Sequence, residues 1–196
     1  MRVIAGKAKS LPLKTVPGDG TRPTTDRIKE TLFNMLQPYL PGCRFLDLFS
    51  GSGGIGIEAL SRGAVHCLFV EQNRKAAACI RENLKTTHLG QEAQLLVCDA
   101  VSVADRSDVR GPYDLIFMDP PYDHDLERRV LEHFSDSSLL TEDTLIVVEA
   151  SLKTDFSWLE DAGYEMLKYK KYKTNAHVFL RKKEEHQSQE ADTEKP

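Results

Sequence analysis

Residues 45–56 read Phe45-Leu46-Asp47-Leu48-Phe49-Ser50-Gly51-Ser52-Gly53-Gly54-Ile55-Gly56, and this stretch decides the fold. Its apolar first half predicts a buried strand, and its second half opens a helix. Between them Gly51, Gly53 and Gly56 fit the spacing G-x-G-x-x-G. Glycines placed this way let the backbone turn tightly and come close to a ligand. Glu71 closes the next apolar run, where an acid can meet a ribose diol. A dinucleotide-binding loop has the same layout. Asp47 argues against that ligand, because a pyrophosphate on the loop would face an uncompensated carboxylate. S-adenosylmethionine carries an ammonium and a sulfonium and no phosphate, so an acid-lined crevice suits it.

Outward from this loop, apolar runs and helical periods alternate. Strands are expected at 44–49, 66–71, 94–98, 113–118 and 144–149, with helices at 54–62, 73–88 and 126–134 among them. Before the first strand a helix capped by Thr24 or Thr25 is expected, with Ile28, Leu32, Met35 and Leu36 on one face. A short helix is expected at 156–161. Two closing strands, 164–172 and 176–181, are joined too briefly for anything but antiparallel pairing. The fold class that follows is α/β: a doubly wound, mostly parallel, seven-stranded sheet with one antiparallel strand, Rossmann-like. Residues 1–23 form a small basic, hairpin-like extension, and 24–183 the main domain. Residues 184–196 are acidic and without periodicity, and are expected to be disordered.

The length of 196 residues suits one domain with a sizeable core. No apolar run approaches a membrane span, and charges follow Met1 too closely for a signal peptide, so a cytoplasmic chain is expected. Cys43, Cys67, Cys79 and Cys98 show no metal-ligand spacing and read as reduced thiols, with no metal. The net charge of −4 conceals an asymmetry. Residues 1–29 hold seven Lys/Arg against two Asp, and residues 168–183 hold seven against none. The middle of the chain is therefore strongly acidic. Two basic ends meeting at one site would attract a polyanion such as nucleic acid. Two solvated faces that never meet are the alternative.

The acids recur at strand ends. Asp47 and Glu71 are followed by Asp99, within Cys98-Asp99-Ala100, where a carboxylate can reach an adenine amino group. The fourth strand then ends in Asp119-Pro120-Pro121-Tyr122. Ligands of open α/β sheets bind at this carboxyl edge. Two prolines fix φ and remove two donors, leaving carbonyls to accept hydrogen bonds. A carboxylate, a stiff bend and an aromatic ring together suit a flat base held by its amino group.

This tetrapeptide resembles the [D/N]-P-P-[F/Y/W] signature of methyltransferases acting on exocyclic amino groups. The stretch from Thr21 to Asn34, the segment Leu60-Ser61-Arg62-Gly63-Ala64 and the opening Arg2-Val3-Ile4-Ala5-Gly6 are similar to the RsmD family. The resemblance spans roughly residues 1–180 and departs at Lys7-Ala8-Lys9-Ser10, where the family usually has an Arg-Gly-Arg-like segment. It implies a class I methyltransferase fold and methylation of the 2-amino group of a guanine in 16S ribosomal RNA. The substrate it implies is that RNA in the small subunit or an assembly intermediate; a monomer is the default expectation. Asp119, Pro120, Pro121 and Tyr122 are then the catalytic group. Asp47, Phe49, Ser50, Gly51, Gly53, Gly56, Glu71, Asp99 and Ala100, with Arg22 and Thr24, are the candidates for holding S-adenosylmethionine. Arg2, Lys7, Lys9 and Lys14, with Lys168, Lys170, Lys171 and Lys173, are the candidates for contacting RNA phosphates. Three competing readings are a DNA adenine-N6 methyltransferase, a nicotinamide-dependent oxidoreductase and a non-catalytic RNA-binding assembly factor.

Overall fold

A computed structural model describes residues 1–16, 26–122 and 124–184. Arg22, Thr24, Thr25 and the chain from 185 onward, where a disordered tail is expected, lie outside the described residues. Seven strands form one sheet: β1 (Arg44–Leu48), β2 (His66–Val70), β3 (Ala93–Leu96), β4 (Leu115–Met118), β5 (Leu145–Ser151), β6 (Tyr164–Lys171) and β7 (Asn175–Lys182). Their order is β3-β2-β1-β4-β5-β7-β6. The first five are parallel, and β7 runs antiparallel between β5 and β6. The order reverses between β1 and β4, which opens a crevice at their carboxyl ends.

Two-sided burial explains the apolar strands. Phe45, Phe69, Phe117 and Val147 face one core with α1 (Asp26–Leu36), α2 (Gly54–Ser61) and α3 (Arg74–Thr87). Leu46, Ile116, Met118 and Val148 face the other, with α4 (Leu126–Phe134). Among the described residues no helix is long and apolar enough to cross a membrane.

Three local expectations are corrected. Residues 156–161 form turns, not a helix. Asp155 captures the Ser157 N–H and hydroxyl, a local bond that competes with helix formation. Asn73 is the cap of α3 rather than its first turn, accepting from the Lys75 and Ala76 amides. In α1 the buried stripe is Lys29, Leu32, Phe33 and Leu36, so a lysine occupies a core position.

The opening segment lies across α2. Val3 anchors a small antiparallel ladder, its N–H donating to Leu11 O at 3.0 Å and its carbonyl accepting from the Ser10 N–H at 2.9 Å. At its turn Gly6 adopts φ +81°, and a Cβ there would stand 1.9 Å from the Ser61 carbonyl oxygen. The Lys7 amide bonds that same carbonyl at 2.8 Å. Gly56 is equally constrained, for a Cβ would meet Phe69 Cε1 at 2.3 Å and Cys67 Sγ at 2.7 Å. Gly56→Ala is expected to force α2 away from β2 and destabilise the protein by roughly 1–3 kcal/mol, the usual cost of overpacking. Urea unfolding monitored by circular dichroism measures this, and an unchanged midpoint would refute the close contact.

Candidate active site

Strand β1 carries the chain to Phe49, which takes φ +59° and turns it into the loop Ser50–Gly53. A non-glycine residue in this region is strained, and such strain gathers at functional edges. Ser50 secures the turn. Its hydroxyl donates to the Asp47 carbonyl at 2.6 Å and accepts from the Val70 amide at 2.9 Å. Gly53, at φ +81°, caps α2. The Glu71 carboxylate accepts from the Gly51 amide at 2.7 Å and from the Asn73 amide at 2.7 Å. That leaves lone pairs on Glu71 beside the loop. Asn83, which no motif singles out, ties the loop to its surroundings. Its side-chain amide donates to the Ser52 and Lys14 carbonyls and accepts from the Lys14 amide.

Asp47 sits beneath this loop rather than on its open side. It is 1% exposed and accepts from the Gly56 amide at 2.9 Å. Burial and the nearby Glu71 charge push its carboxyl up to about 7, against the pull of the Gly56 N–H. An unfolded aspartate titrates near ~3.9. Between these values the folded protein binds the proton more tightly than the unfolded chain. Asp47 therefore lowers stability progressively as pH rises from about 4 to 7. Asp47→Asn is expected to be most favourable, relative to wild type, above pH 7. Chemical denaturation at pH 5 and pH 8 tests this, and a wild-type-minus-variant difference that does not change with pH refutes it.

Asp99 is exposed, and its carboxylate accepts from the Val101 amide at 3.1 Å, next to buried Ala100. Strand β4 then delivers Asp119, half-buried, and Pro120, buried, with Pro121 and Tyr122 exposed. Register puts Asp119 and Glu149 in one row, with Asp47 on the same face two positions earlier. Asp47 pairs with Phe117, and Met118 with Val148, so Asp119 and Glu149 follow on the same face of adjacent strands. Burial, then the charges of Glu149 and Asp47, holds the Asp119 carboxyl well above the usual carboxylate range. Glu149 is a site residue the sequence does not mark. It is buried and bonded by Asn175 and His177 across the β5–β7 pairing.

The basic residues divide. Arg2 pairs with Asp26 at 3.0 Å, Lys7 with Glu92 at 2.7 Å and Lys14 with Glu82. Lys7 and Lys9 lie with the turn over Ser61, at the end of α2 opposite the loop. The structure does not bring them to the carboxyl edge. Lys168, Lys170 and Lys171 are exposed along β6, and Lys170 pairs in register with His177 beside Glu149. Lys173 lies in the following turn.

A family model described as conserved hypothetical protein 95 matches residues 1–181. A Haemophilus influenzae protein named Ribosomal RNA small subunit methyltransferase D is 35% identical over 150 residues, 76% of this chain and 78% of that protein. The chain belongs to the RsmD family. Bacillus subtilis YlbH is 47% identical over 150 residues, covering 76% of this chain and 82% of the relative. The solved Escherichia coli yhhF structure superposes with a TM-score of 0.78 at 30% identity, covering 93% of this chain and 98% of that one. The class I methyltransferase fold expected from the RsmD resemblance is the fold found, with the β3-β2-β1-β4-β5-β7-β6 order and one antiparallel strand inserted.

Proposed function

We propose that this chain transfers a methyl group from S-adenosylmethionine to the exocyclic 2-amino group of a guanine in small-subunit ribosomal RNA. The observation that carries the reading is the placement of Asp119-Pro120-Pro121-Tyr122 at the end of β4, on the carboxyl edge that also holds the glycine loop. Family membership favours RNA over DNA as the substrate.

The donor set fits the cofactor. Glu71 keeps acceptor capacity beside Gly51, and Asp99 is exposed one strand further. When bound, S-adenosylmethionine supplies an electrophilic methyl on a sulfonium. The protein's part is to hold a weak nucleophile in line with it. A base amine is weak because its lone pair is delocalised into the ring. Asp119 and the Pro120 carbonyl accept its two N–H groups, which favours a tetrahedral nitrogen and stabilises its developing charge. Tyr122, 42% exposed, presents a ring on which an unpaired or flipped base can stack.

RNA phosphates are met by Lys168, Lys170, Lys171 and Lys173 rather than by the paired cations of the opening segment. Replacing Lys168, Lys170 and Lys171 together with Gln is expected to weaken RNA binding and to reduce its salt slope by about one per lysine. Fluorescence anisotropy across a salt series reads this out, and an unchanged slope places the RNA elsewhere. The protein acts as a monomer on the small subunit or an assembly intermediate. Transfer of labelled methyl into small subunits from cells lacking the protein, followed by mapping of the modified nucleotide, tests the function. Incorporation at a guanine N2 is expected. Methylation of naked duplex DNA instead, or of no nucleic acid, would refute it.

A further inference from the structure

Behind Asp119 lies a buried polar chain that the reaction just described does not use. Glu149 on β5 is 6% exposed and His177 on β7 is fully buried. His177 Nε2 lies 3.2 Å from Glu149 Oε2, and His177 Nδ1 lies 3.1 Å from the Tyr172 hydroxyl. The Tyr172 ring meets the imidazole edge-on at 5.0 Å, and Tyr172 itself is half-buried. Continuing the β4–β5 register sets Asp119 beside Glu149, and hydrogen-bonding distances then lead through His177 to Tyr172 by the β6–β7 turn. Burying a glutamate and a histidine inside a sheet pairing is expensive, and apolar residues of similar volume would often serve stability as well. Stability alone does not explain this chain.

We infer that Glu149, His177 and Tyr172 conduct to solvent the proton that Asp119 takes from the methylated amine. The inference rests on the proposed methyl transfer. Transfer forms an N–C bond, breaks an S–C bond and leaves the nitrogen with a positive charge. One N–H proton then passes to the Asp119 carboxylate, and the nitrogen lone pair is restored. Glu149, next along the row, receives the proton from Asp119. His177 accepts it at Nε2 while giving up the Nδ1 proton to the Tyr172 hydroxyl, which releases one to water. A tautomer change of the imidazole and rotation of the hydroxyl reset the chain. The carboxylates facing Asp119 in this path are Asp47 from β1 and Glu149 from β5. They raise its proton affinity above that of an ordinary carboxylate.

Asn175 suits Glu149 in both protonation states. Its Nδ2 donates to Glu149 Oε1, whereas its Oδ1 is buried with no hydrogen-bond partner. Turning the amide over would present that spare acceptor to a protonated Glu149.

The test uses the full-length protein with S-adenosylmethionine and small-subunit particles in multiple-turnover methyl transfer, where each cycle needs an Asp119 that has passed its proton on. His177→Gln keeps a donor toward Glu149 but cannot exchange tautomers. It is expected to slow turnover about a hundredfold, the lower end of proton-transfer contributions. His177→Ala, whose cavity can take an imidazole, is expected to regain part of its rate when imidazole is added, with cofactor affinity by calorimetry unchanged. Tyr172→Phe removes only a hydroxyl from a half-buried ring, and is expected to enlarge the solvent deuterium isotope effect. If His177→Gln fails to fold, Tyr172→Phe carries the test alone. Variants with the wild-type rate and isotope effect, or a slow His177→Ala protein that imidazole does not rescue, would overturn the relay while leaving the methyl transfer intact. A wild-type protein that methylates no nucleic acid would overturn the methyltransferase reading and the relay with it.

Discussion

Asp119→Ala is expected to slow methyl transfer by about two to three orders of magnitude, the usual loss when a transition-state hydrogen-bonding partner is removed. The side chain is the amine's anionic acceptor, and the Pro120 carbonyl cannot replace its charge. Asp119→Asn keeps a neutral acceptor and should fall between wild type and Ala. Stability should move the other way. Burial and the charges of Glu149 and Asp47 make the ionised Asp119 carboxylate unfavourable in the folded protein. Removing it relieves that repulsion, so near pH 8 the variants should melt no lower than wild type. Loss of activity in a fully stable protein separates a reacting role from damage to the fold. Single-turnover assays with labelled cofactor, paired with thermal melts, measure both. A wild-type rate for Asp119→Ala would remove Asp119 from the chemistry.

The largest loss of stability is expected at Glu58. This fully buried carboxylate accepts from the Ile4 amide at 2.8 Å and the Ala5 amide at 3.0 Å. It also pairs with Lys29 at 3.1 Å and with Arg62 at 2.8 Å. Lys29 has 0% exposure, and its ammonium also donates to the Arg2 carbonyl at 2.6 Å. Burial lowers the Lys29 pKa, and Glu58 is the main charge that opposes the change. Glu58→Ala leaves that cation and two backbone amides without an anion. Breaking a buried pair from one side costs roughly 3–5 kcal/mol. For a chain of this size that lowers the melting temperature by roughly 10 °C. Glu58→Leu combined with Lys29→Met should lose less than Glu58→Ala alone, because it removes the fully buried Lys29 charge with its partner and leaves only Arg62 without its carboxylate. A double variant as unstable as the single one would show that the ion pair is not what holds the opening segment down.

The sheet was legible because its central strands are buried on both faces, which leaves continuous apolar runs such as Leu115–Met118. The glycine loop was legible because Gly56 and its neighbours answer to local sterics. Long-range electrostatics was not. Lys29 looks like a surface lysine on α1 until Glu58, on another helix, is placed against it. Glu149 and His177 belong to no motif, and only the antiparallel register sets them opposite each other. Asn83 holds Ser52 from a different helix, so no spacing within the loop reveals it. The charge asymmetry was real in the sequence but incomplete as a guide. Arg2, Lys7 and Lys14 meet acids that lie between 24 and 85 residues away along the chain.

β6 borders the sheet on one side, with Met166, Leu167 and Tyr169 more than 40% exposed and a register shift between Met166 and Lys168. An unpaired strand border with apolar side chains is a template for a second chain to add to, and lysines and irregular pairing are what discourage it. Lys168, Lys170 and Lys171 thus also act as gatekeepers against aggregation. Neutralising them risks fibrils or precipitates whatever their part in holding RNA, so light scattering must show a monodisperse sample before any drop in affinity is credited to lost phosphate contacts.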